Sequence, residues 1–270
     1  MANKINYPYR PDDAFRGQHA SLALQLQQGN LNFAEDWLQS VVDESIENGS
    51  HTVFLSSEEF SPLFSNRKIG IMLDFKQILL RYFDEVLLVV VLRQLNDWIY
   101  SSIREHIKSG LFSFYDVEKY RHQAVIPRIV VSNAEQRIVD AKTRMSVLSF
   151  DELKRGAKLV ENFFASVFGD IGITSGKGYA NKSTDDIVKD LLTGFFRAGL
   201  TAKNGVNPYL QDVAGFSGKL DALEMTGSKY PVYEDVNKSL DEVIKQFSRI
   251  VYESVVDGYQ DFKYAKFLIK

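Results

Sequence analysis

The sequence predicts an α/β fold, three layers α/β/α about a mainly parallel sheet. Three observations carry this expectation. Val86–Leu92 (VLLVVVL) is apolar without alternation, as in a strand covered on both faces. From about Leu95 to Lys108 the apolar period becomes helical, so a strand passes directly into a helix. A shorter apolar stretch, His51 to Phe60 (HTVFLSSEEF), follows two helical segments and ends in polar residues. Strands alternating with helices favour a parallel sheet over a bundle or a sandwich.

The elements follow in order. Residues 1–17 are polar, hold Pro8, Pro11 and Gly17, and read as an irregular lead-in. His19 to Gln28 is helical through Leu22, Leu24 and Leu26 and stops at Gly29. Asn32 to Asn48 is the second helix, with Phe33, Trp37, Val41 and Ile46 at helical spacing. Asn32 with Glu35 forms a pair resembling a capping box, and Gly49 is the stop. Phe75 to Phe83 is a third helix. In the Leu95–Lys108 helix, Leu95, Trp98, Ile99, Ser102, Ile103 and His106 share one side, and Gly110 ends it.

Residues 111–150 are rich in Phe, Tyr and Arg with weak periodicity, which reads as helices and loops around a site. Asp151 to Phe168 is helical, GDIGIT adds a possible short strand, and Ser183 with Asp186 caps a helix to Ala198. Residues 200–235 read as irregular. A last helix starts at VNKSLDEV, where Ser239 and Glu242 form a capping box, and continues to about Val256. No repeat or low-complexity linker interrupts the chain, so residues 1–270 are expected to form one domain.

Composition narrows the function classes. Thirty-two basic against 35 acidic residues give a net charge of −3, without the basic excess of a nucleic-acid binder. The absence of cysteine excludes a disulfide scaffold and thiolate metal sites. No apolar stretch approaches the roughly 20 residues of a membrane span, and MANKINYPYRPDD lacks a signal-peptide core. These features suggest a cytoplasmic protein without a membrane span. No two histidines have metal-ligand spacing, and no metal is expected.

In α/β folds ligands bind at the carboxyl ends of the strands. SSEE after VFL and RQLND after LLVVVL would both lie on that edge. Arg93 ends the strongest strand, and its planar, always-charged fork suits a phosphate. Ser101 lies several residues into the following helix, roughly 8–9 Å along its axis, and an arginine can fold back that far. Alternatively, Arg93 pairs with a carboxylate such as Asp97 and Ser101 is solvated.

An apolar strand ending in Arg, with Ser eight residues later, resembles the second signature of the sulfotransferases that use 3′-phosphoadenosine 5′-phosphosulfate (PAPS). VVVLRQLNDWIYSSIREHIKSG is similar to that segment of bacterial sulfotransferase-like proteins. FLSSEEF resembles the family strand ending in Ser-Ser-Glu, and VNKSLDEV its Asn-x-Ser-Leu helix start at Asn237. YPYRPDDAFRGQHASLAL is similar to its Tyr-Pro and His-x-x-Leu-Ala region. The resemblance implies a nucleotide-kinase-like, P-loop fold in which Arg93 and Ser101 hold the 3′-phosphate of PAPS. It also implies Glu58 as the base for an acceptor hydroxyl, with Glu59 as the alternative, and a carbohydrate or glycolipid acceptor.

The family's first signature, a strand and a Gly-x-x-Lys-x-Gly-Thr-Thr-type loop holding the 5′-phosphosulfate, does not precede Tyr7. The first strand and loop are thus expected to be missing, leaving an apolar slot beside Val86–Leu92. GDIGITSGKGYANKS does not fit G-x-x-x-x-G-K-[ST] and reads as a flexible turn in which Lys177 could face an anion. A non-catalytic remnant of the fold is therefore an alternative. So is an unrelated glycosyltransferase-type enzyme, although no Asp-x-Asp motif is present. His106 reads as a packed residue and His122, in KYRHQ, as part of a solvated basic face; His19 and His51 stand alone.

Overall fold

The computed structural model describes residues 5–8, 19–109, 117–169 and 231–269. Among these the chain is mainly helical with two small parallel sheets. It divides into two compact units: Met1–Leu92 with Val125–Gly176, and Arg93–Ala124 with Lys177–Lys270.

The first unit begins with strand β1 (Ile5–Asn6), helix α1 (Ala20–Gln27), helix α2 (Leu31–Glu47) and strand β2 (Thr52–Val53). Helix α3 (Ile69–Tyr82) and strand β3 (Val86–Leu92) follow. After the excursion into the second unit come α6 (Ile126–Asn133), β4 (Thr143–Ser149), α7 (Phe150–Leu153) and α8 (Leu159–Phe168). The second unit holds α4 (Leu95–Lys108), α5 (Val117–Ala124) and a long helix, α9 (Pro231–Val255).

Asn30, rather than Asn32, caps α2: its side chain accepts the Phe33 N–H. The cap acts from the last non-helical residue, and that residue is Asn30. The helix closes before Gly49, whose φ of 62° suits glycine. Ala34, Trp37, Leu38 and Val41 form its buried stripe and meet Leu22 and Leu26 of α1 and Met72, Phe75 and Leu79 of α3 in one core. Of HTVFLSSEEF only Thr52–Val53 is strand, parallel to Ile5–Asn6, and a 3-10 helix runs over Glu58–Phe64.

β3 and β4 pair in parallel from Val86↔Thr143 to Leu92↔Ser149. β4 lies inside the stretch that the sequence left as helices and loops. The β3 run is not covered on both faces: most of it is half-buried, and Val91 is 40% exposed. Val86, Leu88 and Val90 pack against the core, whereas the alternate residues Leu87, Val89 and Val91 point to the opposite face, outside that cluster. Asp151–Phe168 is likewise not one helix. It breaks at Gly156, which has a φ of 72°.

Lys76 is buried on α3. Its ammonium donates to the Ile138 carbonyl at 2.7 Å and to Asp140 at 2.5 Å. The bond from Lys76, followed by one from the Lys142 N–H, holds the Asp140 carboxyl below the ordinary carboxylate range. A carboxyl whose folded pKa is depressed stabilises above its unfolded value, and that stability is lost as pH falls through the folded value. Asp140→Asn is therefore expected to lower the urea midpoint at neutral pH. It should also flatten the loss of stability below about pH 4, the ordinary carboxylate range. Equal acid slopes for the two proteins would contradict the assignment.

In the second unit, Leu95, Ile99, Ile103 and Ile107 of α4 form a fully buried stripe. Facing residues come from α5 (Tyr120, Ala124) and α9 (Ile244, Val251). The Tyr259 hydroxyl donates to the Ala124 carbonyl. α9 starts at Pro231, well before the expected VNKSLDEV, so Ser239 lies inside the helix and does not cap it. Proline suits a first helical turn, whose N–H groups need no intrahelical partner. The expected strand at GDIGIT, the helix at 183–198 and Lys177 lie outside the described residues.

Candidate functional site

Arg93 stands half-buried between Leu92, the last residue of β3, and Gln94, the N-cap of α4. The strand and helix boundaries match those read from the sequence. Ser101 is half-buried two turns into α4, with Asp97 and Arg104 its neighbours at helical spacing. Arg93 and Ser101 thus belong to one compact unit, while Glu58 belongs to the other. The Leu95 N–H donates to the Leu268 carbonyl at 2.7 Å, so this first-turn donor is already occupied.

Glu58 is exposed at the first position of the 3-10 helix. The helix is capped by Ser57, whose Oγ accepts the Glu59 N–H. Glu59 is more engaged: Gln27 Nε2 donates to its backbone carbonyl at 2.7 Å. His106 Nδ1 and the Tyr120 hydroxyl share a hydrogen bond at 2.7 Å. Burial, then nearby Lys119, lowers the His106 pKa, which accords with a packed neutral imidazole. His122 is exposed, as expected of a solvated face.

Between α4 and α9 lies a groove of about 710 Å³. Neither Arg93 nor Ser101 lines it, but Asn237 does. Its centre is a three-residue chain. The Tyr100 hydroxyl donates to Asp241 at 2.5 Å, and Lys245 pairs with the other Asp241 oxygen at 2.6 Å. Burial and the bond to Asp241 push Tyr100 up to about 12. Burial alone would raise Asp241, yet bonds from Lys245 and Tyr100 hold its carboxyl below the usual range. The chain is therefore ionised at Asp241 and Lys245 and neutral at Tyr100. Beside it, Ser248 Oγ donates to the Asn96 side-chain carbonyl at 2.9 Å.

Sequence reasoning missed this groove. The Asp241–Lys245 spacing is legible as an i,i+4 pair, but Tyr100 and Asp241 are 141 positions apart. No protein-family model matches the chain, and searches of curated proteins and of solved structures return no match either.

Proposed function

We propose that the protein is a sulfotransferase-like P-loop-class protein, three-layered α/β/α, that binds PAPS through Arg93 and Ser101. The sulfuryl group would pass from the 5′-phosphate to a hydroxyl of a carbohydrate or glycolipid. Adenosine 3′,5′-bisphosphate would leave, and the hydroxyl proton would pass to a base, the role for which the family resemblance singles out Glu58. One observation carries this reading. A half-buried, permanently charged Arg93 stands between a parallel strand and the helix that presents half-buried Ser101. Mixed donors and acceptors in the α4–α9 groove, among them Asn96, Tyr100, Asn237 and Asp241, support a polyhydroxylated acceptor.

Calorimetric titration with adenosine 3′,5′-bisphosphate tests the reading. Saturable binding is expected, weakened roughly 10- to 100-fold in Arg93→Ala and roughly 10-fold in Ser101→Ala, the range for charge-assisted hydrogen bonds. Absence of heat at millimolar ligand would overturn it. A second reading, nucleotide binding without transfer, is favoured by the exposed setting of Glu58, since catalytic carboxylates are commonly tuned by burial. Binding without transfer of labelled sulfuryl to any sugar tested would select it.

A further inference from the structure

The α4–α9 groove lies wholly within the second unit, and its volume of about 710 Å³ suits a small ligand. Two links across it fix its polar groups. Ser248, 1% exposed, donates from Oγ to the Asn96 side-chain oxygen at 2.9 Å. That donation settles which end of the amide is which, and leaves the Asn96 Nδ2 and its two N–H groups for the groove. Among the described residues none accepts from this nitrogen. The second link is the bond from Tyr100 to Asp241.

Asp241 is held but not saturated. One of its oxygens accepts from Tyr100 and the other from Lys245. Each carboxylate oxygen has two lone pairs, so each can accept once more. Asn96 and Tyr100 are four residues apart on α4, which puts the two links one helical turn, about 5–6 Å, from each other. A fixed pair of donors thus stands one turn from a fixed acceptor, a span that hydroxyls of one sugar residue, or of two linked ones, can bridge.

Charge decides the kind of ligand. Three carboxylates, Asp97, Asp241 and Glu242, line the groove. Against them stand Arg104, Lys238 and Lys245, while Arg249 is engaged by Glu253 at 2.8 Å. An anion would meet the three carboxylates, and a cation would meet the ammonium and guanidinium groups. Hydroxyls donate and accept through the same atom, so they satisfy both kinds of group without adding charge.

We infer that the α4–α9 groove is a binding site for a neutral oligosaccharide, whose hydroxyls accept from the Asn96 amide and donate to the Asp241 carboxylate. As the seat of an acceptor this rests on the sulfuryl-transfer reading, to which it adds that the sugar carries no charge. As a saccharide site it stands without the nucleotide.

Calorimetric titration of the full chain with four hexasaccharides tests this: maltohexaose and N-acetylchitohexaose as neutral probes, hyaluronan hexasaccharide as the anionic one and chitosan hexamer as the cationic one. Saturable millimolar binding of at least one neutral probe is expected, with both charged probes roughly 10-fold weaker or more. Asn96→Asp removes the two donors from an exposed side chain. It should weaken the neutral probe roughly 10-fold and leave the urea midpoint nearly unchanged. Asp97→Asn with Glu242→Gln, also exposed, should keep neutral binding and tighten hyaluronan binding roughly 10-fold. Three outcomes would overturn the inference: neither neutral probe binds, a charged probe binds as tightly as the neutral ones, or Asn96→Asp binds the neutral probe like the wild type. Loss of the nucleotide reading looks different: adenosine 3′,5′-bisphosphate then gives no heat while the neutral probe still binds.

Discussion

Replacing His19 by alanine is expected to cost about 3–5 kcal/mol, the sum of two lost hydrogen bonds and a lost buried ring. His19 is 1% exposed. Its Nε2 lies 2.8 Å from the Pro8 carbonyl, which can only accept, so Nε2 carries the proton. Nδ1 is then the acceptor for the Ser56 N–H at 3.0 Å. The His19 backbone N–H closes a second link, donating to the Ser56 carbonyl at 2.9 Å. The ring stands edge-on to Tyr7 at 4.7 Å and to Trp37 at 5.7 Å. One imidazole thus ties the β1 segment, α1 and the end of β2 together. Alanine strands the Pro8 carbonyl and the Ser56 amide and leaves a void among the rings. Urea unfolding should show the loss, and His19→Gln, which keeps a donor and an acceptor, should recover part of it. A midpoint for His19→Ala equal to that of the wild type would refute the clamp.

Ile103→Ala is the second large effect, expected at about 3 kcal/mol for removing three buried carbons and leaving a cavity. Ile103 is 0% exposed, at the centre of the stripe from Leu95 to Ile107. Rigid helices on both sides of such a stripe collapse poorly into the space left. Ile46→Ala is the control: at 72% exposure that side chain leaves water almost unchanged, and a shift within about 0.5 kcal/mol is expected. If the two variants unfold at the same urea concentration, the α4 stripe is not the core of the second unit.

What the sequence made legible follows the reach of its signals. The ends of β3 and α4 were readable because a period change and a charge mark them within a few residues. Caps were less secure. Asn32–Glu35 and Ser239–Glu242 both have the spacing of a capping box, but a cap acts only where the preceding backbone leaves the helix. That happens at Asn30, and at Ser239 it does not. β4 was hidden because Arg144, Ser146 and Ser149 interrupt its apolar residues, and its register comes from β3. For the candidate site, Arg93 and Ser101 were singled out from local spacing alone. Tyr100 with Asp241, and His19 with Pro8 and Ser56, were not, because each partnership is made between distant parts of the chain.

The bond from Ser248 to Asn96 spans 152 positions, and this has a bearing on biosynthesis. As the polypeptide leaves the ribosome, α4 emerges with its isoleucine stripe exposed and no α9 to receive it. The first unit can begin to assemble at once, whereas the second must wait until translation has passed Leu268, whose carbonyl caps the Leu95 amide. Nascent chains halted before α9 should therefore be the species that chaperones hold longest.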